Sequence, residues 1–185
     1  DMAVLYRTNA QSRMFEETLI KNGLPYIMVG SLKFYDRKEV KDLLAYLRLL
    51  VNGRDEQALE RVINEPKRGI GSATVEKLKM LLNETGLSLH EALKAPSAGE
   101  LLGRSLLKVT AFSTLLESLR KETDTVPVEQ LMTDILEKTG YWDALLLEGS
   151  EQARGRMDNL DELKRKFSIK GYLIGWGIAI LALVA

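Results

Sequence analysis

The stretch DRKEVKDLLAYLRLLVN, residues 36–52, constrains the fold most. Val40, Leu43, Leu44, Leu47 and Leu50 recur at three- and four-residue spacing. That places them on one stripe of an α-helix, with Lys38, Glu39, Lys41, Asp42 and Arg48 mostly off it. The pattern returns along the chain. DEQALERVIN predicts a short second helix, and ATVEKLKMLLNETG a third that stops near Gly86. A short helix is expected over LSLHEALK, then a loop over APSAGE. LLGRSLLKVTAFSTLLESLRKE predicts a longer helix with Leu102, Leu106, Val109, Phe112, Leu116 and Leu119 inward. Pro127 suits the first turn of PVEQLMTDILEKTG, and SEQARGRMDNLDELKRK is a last amphipathic stretch. Residues 34–166 therefore read as one helical domain.

The first 33 residues have another texture. MAVLYR and PYIMVG are short apolar runs expected as strands, and NAQSRMFEETLIKNG between them is helical, with Gly23 as its C-terminal cap. Strand, helix, strand is the αβ unit of a parallel sheet, here too small to stand alone. The fold class expected is mainly α with a small αβ portion, and the chain start looks like a cut through a longer protein.

Lys+Arg and Asp+Glu are equal at 26 each. Bulk charge thus offers no argument for nucleic-acid binding, and a local patch must carry any such role. The absence of cysteine excludes disulfides and thiol chemistry and fits a cytoplasmic protein. The single His90 has no partner imidazole and reads as a solvated or packed histidine, not a metal ligand. At the other end, GYLIGWGIAILALVA carries no charge, but it is short for a bilayer core, which needs about 20 apolar residues. Residues 167–185 read as a separate uncharged tail. A buried helix or a non-native end suits it better than a membrane anchor.

Three segments are candidates for function. In EPKRGIGSATVEKL, two helices meet at Gly69-Ile70-Gly71. Glycine permits positive φ and close backbone approach, and Ile70 can point inward to fix the turn. The amides from Gly71 through Ser72 to Thr74 then sit at a helix N-terminus, which favours an anion. The Ser72 and Thr74 hydroxyls add donors, and Lys67 and Arg68 supply charge from the approach side. The turn resembles a helix-hairpin-helix motif, which holds a DNA phosphate without reading bases. The alternative is a purely structural turn in a helical protein-interaction module.

The second candidate, YRTNAQSR, offers Arg7, Asn9, Gln11 and Arg13 at the end of a predicted strand. These suit a single strand's phosphates and bases, or Asn9 simply caps the helix while the arginines are solvated. The third, GSLKFYDRKEVKD, sets Phe34 and Tyr35 among Lys33, Arg37 and Lys38. The aromatics either stack on bases or seat the helical domain on the αβ piece, with Asp36 as N-cap and Glu39 completing a capping box.

AVLYRTNAQSR, LPYIMVGSLKFYDRKEVKDLLAYLRLLVN and INEPKRGIGSATVEKL occur in the order and at the spacing seen in the UvrD/PcrA/Rep family of superfamily 1 DNA helicases. The resemblance runs from residue 2 to about Leu163 and includes RMDNLDEL. It implies that residues 1–33 are part of the RecA-like motor subdomain 2A and that residues from 34 begin 2B, a helical insertion. It implies that Arg7 and Asn9 touch single-stranded DNA, and that Gly69, Ile70, Gly71 and Thr74 touch the duplex ahead of the fork. Phe34, Tyr35, Arg37 and Glu39 fall at the 2A/2B junction, where 2B swings. Gly30-Ser31 departs from the two glycines usual there. The family's 3′→5′ unwinding consumes ATP with Mg²⁺, but this chain has no GxxxxGK[ST] loop. The expectation is a helicase fragment without its own cofactor site, whose partners are DNA, both duplex and single-stranded, and the remaining helicase subdomains.

Overall fold

A computed structural model describes residues 3–6, 9–26 and 34–171 of the 185. Among the described residues there are helices and no strands. Helix α1 spans Asn9–Lys21, α2 Lys38–Val51, α3 Glu56–Val62, α4 Ser72–Thr85, α5 Leu89–Ala92, α6 Pro96–Leu102, α7 Leu106–Arg120, α8 Val128–Lys138, α9 Tyr141–Glu148 and α10 Glu151–Gly171.

Helix α2 is the centre. It packs against α3, α7, α8 and α10, and its buried positions run nearly all round it, from Val40 and Leu43 to Tyr46, Leu49 and Leu50. A helix apolar on every side belongs in a core. Glu39 and Asp42, expected off the apolar stripe, are buried as well. They are tolerated because each is bonded: Asn159 Nδ2 donates to Glu39, while Tyr141 Oη (2.8 Å) and Arg61 Nε (2.8 Å) reach Asp42. A buried carboxylate without such partners would be strongly destabilising.

Several boundaries differ from expectation for local reasons. APSAGE is not a loop. Pro96 occupies the first turn of α6, where its missing N–H breaks no helical bond. The long helix expected over residues 101–122 is split at Gly103, whose φ of 49° ends α6 and turns the chain into α7. Helix α9 lies between two left-handed glycines, Gly140 and Gly149, and its pattern was not read from the sequence. Asp36 is not the N-cap of α2; that position is Arg37, and Asp36 pairs with Lys41 instead (2.8 Å). Phe167, grouped with the tail in the sequence reading, is a buried core residue of α10.

Residues 3–6 form no strand, and Leu5 is 96% exposed, so the buried strand expected there is not found. A strand needs a neighbour to complete its ladder, and no strand lies among the described residues. The second expected strand falls largely on residues 27–33, outside the described residues. Helix α1 forms as expected: Gly23 adopts φ 65°, and its N–H and that of Leu24 satisfy the Ile20 and Leu19 carbonyls. No helix among the described residues is long and apolar enough to cross a membrane.

Candidate nucleic-acid interface

The Gly69–Gly71 turn joins α3 to α4 and is held from below. Ile70 is 1% exposed, within the core. Asn64 Oδ1 accepts from the backbone N–H groups of Arg68 (2.8 Å) and Ile70 (3.2 Å), closing the loop on itself. Gly69 has φ 68°, a left-handed conformation natural to glycine.

Arg68 supplies most of the fixation. Its Nη1 donates to the carbonyls of Val62 (3.0 Å), Ile63 (3.3 Å) and Pro66 (3.1 Å). Its Nη2 donates to Tyr46 Oη (2.9 Å) and the Thr139 carbonyl (3.2 Å), and the guanidinium lies 5.0 Å from the Phe112 ring centre. The last turns of α3 and α8 thus receive a cation and donors for carbonyls without helical partners. Tyr46 completes the knot by donating to the Glu65 carbonyl (2.5 Å), and burial pushes its hydroxyl pKa up to about 12. Arg68 is therefore not an approach-side cation; its donors are spent inside the fold.

The outward face is different. Gly71, Ser72 and Ala73 are exposed, and none of their N–H groups has a protein acceptor; the bonds from Thr74 and Val75 to the Gly71 carbonyl come next. Helix α4 begins at Gly71 with no side-chain cap and no acidic residue in its first turn. By contrast, α3 is closed by Asp55, which accepts from the Ala58 N–H (3.0 Å), and α5 by a Ser88–Glu91 capping box. The Thr74 hydroxyl is shared with Ser105 (3.0 Å). Lys67 is exposed. Lys108 of α7, thirty-nine residues further along the chain and not legible as part of this turn, donates to the Gly69 carbonyl (3.1 Å).

The junction residues form a second assembly. Phe34 and Tyr35 meet edge to face at 5.1 Å, and Lys166 of α10 lies 4.7 Å from both ring centres and donates to Tyr35 Oη (3.1 Å). Buried Arg37 donates to Asn159 Oδ1 (2.7 Å) on α10 and to Ser12 Oγ (3.1 Å) on α1. Asn159 in turn bonds Glu39. Phe34, Tyr35, Arg37 and Glu39 are thus brought together, and the assembly seats the helical domain against α1. Asn9 opens α1, but its side chain and the whole of Arg7 lie outside the described residues. His90 packs on α7 through Ser113 Oγ (3.3 Å), and no group of three or more carboxylate or imidazole side chains suited to a metal occurs among the described residues.

The described residues thus form a helical domain whose α3–α4 turn leaves helix-start amides exposed and whose Arg37 network ties it to the N-terminal helix α1. The family model for the UvrD-like helicase C-terminal domain matches residues 1–168. The chain is 44% identical over 162 residues to the ATP-dependent DNA helicase PcrA of Staphylococcus epidermidis, covering 88% of this chain and 22% of that protein. It is 43% identical to PcrA of Staphylococcus aureus over the same length. The chain belongs to the UvrD/PcrA helicase family, and it spans about a fifth of the length of these curated relatives.

Proposed function

We propose that this chain serves a DNA helicase by gripping the duplex to be unwound, through the backbone of the Gly69–Gly71 turn. One observation carries this: Gly71, Ser72 and Ala73 present unpartnered N–H groups to solvent at the start of a fourteen-residue helix. Gly71 sharpens it. Its φ is −82°, and a Cβ there would meet nothing within 4 Å. The fold itself does not require glycine at that position, and serine or aspartate would cap α4 better. Close approach by a ligand is what a missing side chain serves there, and a phosphate suits both the donors and the helix dipole. Lys67 adds charge, and Thr74 completes the turn by tying it to Ser105.

In this reading Arg7 and Asn9 meet the single strand, and the Phe34–Glu39 assembly sets the orientation of the helical domain and so regulates unwinding. ATP and Mg²⁺ are bound by other helicase segments, since this chain offers no phosphate loop. The setting is the cytoplasm.

Ser72→Pro tests the core of the proposal. Proline at the first helical position removes one N–H without breaking a helical bond, and the extended backbone of Gly71 (ψ 169°) accommodates it. Losing a hydrogen bond to a charged group costs about 1.5–3 kcal/mol, so duplex affinity should fall roughly ten- to hundredfold at unchanged stability. An affinity equal to that of the unsubstituted chain would favour the alternative, a protein-interaction module with a purely structural turn.

A further inference from the structure

The corner between α6 and α7 stands beside the Gly69–Gly71 turn, and its charges are free. The Ser105–Thr74 hydroxyl bond (3.0 Å) fixes the start of α7 against the start of α4. One turn along α7, Lys108 Nζ lies 3.1 Å from the Gly69 carbonyl, close enough that a Cβ on Gly69 would stand 2.6 Å from the ammonium. An ammonium has three donors; one is used here, and Lys108 is exposed. Several lysines elsewhere on the domain are neutralised, Lys38 by Glu65 (2.7 Å), Lys41 by Asp36 (2.8 Å) and Lys79 by Glu60 (2.8 Å), whereas Lys77, Lys94 and Lys121 have no ion pair among the described residues. Lys108, Arg104 and Lys67 have no carboxylate within ion-pair distance and are exposed.

We infer that the α6–α7 corner is a second duplex-phosphate contact, with Lys108 as its charged group and Arg104 beside it. This rests on the duplex-gripping reading above and replaces the cation that Arg68 does not supply. The interface then spans two corners on different helix pairs, locked by one hydroxyl pair. Two fixed contacts set the direction of the sugar–phosphate rail, which a single turn cannot do. The bound partner is the backbone of double-stranded nucleic acid, taken without regard to sequence, because a lysine ammonium is a point charge with no fork to read a base edge.

The test is the salt dependence of duplex binding by the 185-residue chain, followed by fluorescence anisotropy between about 50 and 200 mM salt. Each phosphate contact contributes about 0.9 to the slope of log K against log salt. Lys108→Gln should lower the slope by about 0.9, and Lys108→Gln with Arg104→Gln by up to about 1.8. Lys108→Arg, which keeps the charge, should restore it. Urea midpoints should match the parent's, since both side chains are exposed. If Lys67→Gln lowers the slope while Lys108→Gln leaves it untouched, the second contact is overturned and the first stands. If the parent chain shows no salt-dependent duplex binding, both fall together.

Discussion

Replacing Arg68 by glutamine separates a residue that builds the turn from one that binds at it. The guanidinium serves five acceptors and a ring. After the change the Tyr46 hydroxyl still donates to the Glu65 carbonyl, and the Val62 carbonyl still accepts from the Glu65 N–H (3.1 Å). The Ile63, Pro66 and Thr139 carbonyls lose the donor that Arg68 gives them. An unsatisfied buried acceptor costs about 1–3 kcal/mol, and partial exposure of the site puts these near the lower end. Three carbonyls at about 1 kcal/mol and a cation–π contact worth about 1 kcal/mol sum to about 4 kcal/mol. That is a large share of the 5–15 kcal/mol typical of a domain. With a urea m-value of about 2 kcal/mol/M, the midpoint should drop by about 2 M. Arg68→Lys should recover less than half, because an ammonium cannot span both the α3 and α8 ends. The salt slope of duplex binding, measured where the variant is folded, should stay at the parent's value. A variant of parental stability whose slope falls by about 0.9 would refute this reasoning and return Arg68 to the phosphate.

Gly69→Ala should lose about 1–2 kcal/mol in urea denaturation, since φ 68° strains an L-residue and its Cβ would displace Lys108. Gly71→Ala, in ordinary backbone with open space, should stay within about 0.5 kcal/mol while weakening the duplex, so the two glycines separate stability from binding. Burial raises the Asp42 carboxyl above its ordinary 3.8, against the pull of Tyr141, Arg61 and Lys38. The folded state therefore holds this proton more tightly than the unfolded. Asp42 contributes most below pH 3.8 and progressively less as pH rises through its folded value, so the stability of the parent relative to Asp42→Asn should fall over that window. Tyr141→Phe should cost about 1–3 kcal/mol by removing a buried donor from Asp42, and should push that carboxyl further up in an NMR titration. Gly53→Ala should destabilise by about 1 kcal/mol, because its Cβ would meet Arg120 Nη2 at 2.5 Å and dislodge the donors to the Leu49 and Leu50 carbonyls that close α2.

Helical periodicity was enough to read α2, α3, α4, α8 and α10, since a run of inward leucines states its own spacing. It failed where punctuation mattered more than period. Pro96 and Gly103 made two helices of what looked like a loop and one helix, and α9 is bracketed by glycines whose left-handed backbone no hydrophobic count reveals. The αβ reading of the opening segment depended on neighbours that a local pattern does not contain. Sequence also placed the turn correctly at Gly69-Ile70-Gly71, with Ile70 inward. It misassigned the burial of Glu39 and Asp42, because a charged side chain off the main stripe looks solvated until its partners, Asn159 and Tyr141, arrive from about a hundred residues away.

The adjacent cations Lys67 and Arg68 show most clearly what a string of letters withholds. Side by side they read as one basic patch, yet the fold uses them in opposite ways, and the chemistry of their head groups explains why. A guanidinium is planar, weakly hydrated and carries five donors, so it suits a half-buried place among carbonyls that end helices. Arg68 takes that place below the turn, and Arg120 does the same for α2. An ammonium is compact and strongly hydrated, and loses most by burial; Lys67 and Lys108 stay outside. Exchanging the two, as Lys67→Arg with Arg68→Lys, keeps the net charge and every contact available to a phosphate. On this argument the swapped chain binds duplex with an unchanged salt slope while its urea midpoint falls nearly as far as that of Arg68→Lys alone. A swap that left stability intact would mean that any cation suffices beneath the turn and that the fork of hydrogen bonds is incidental.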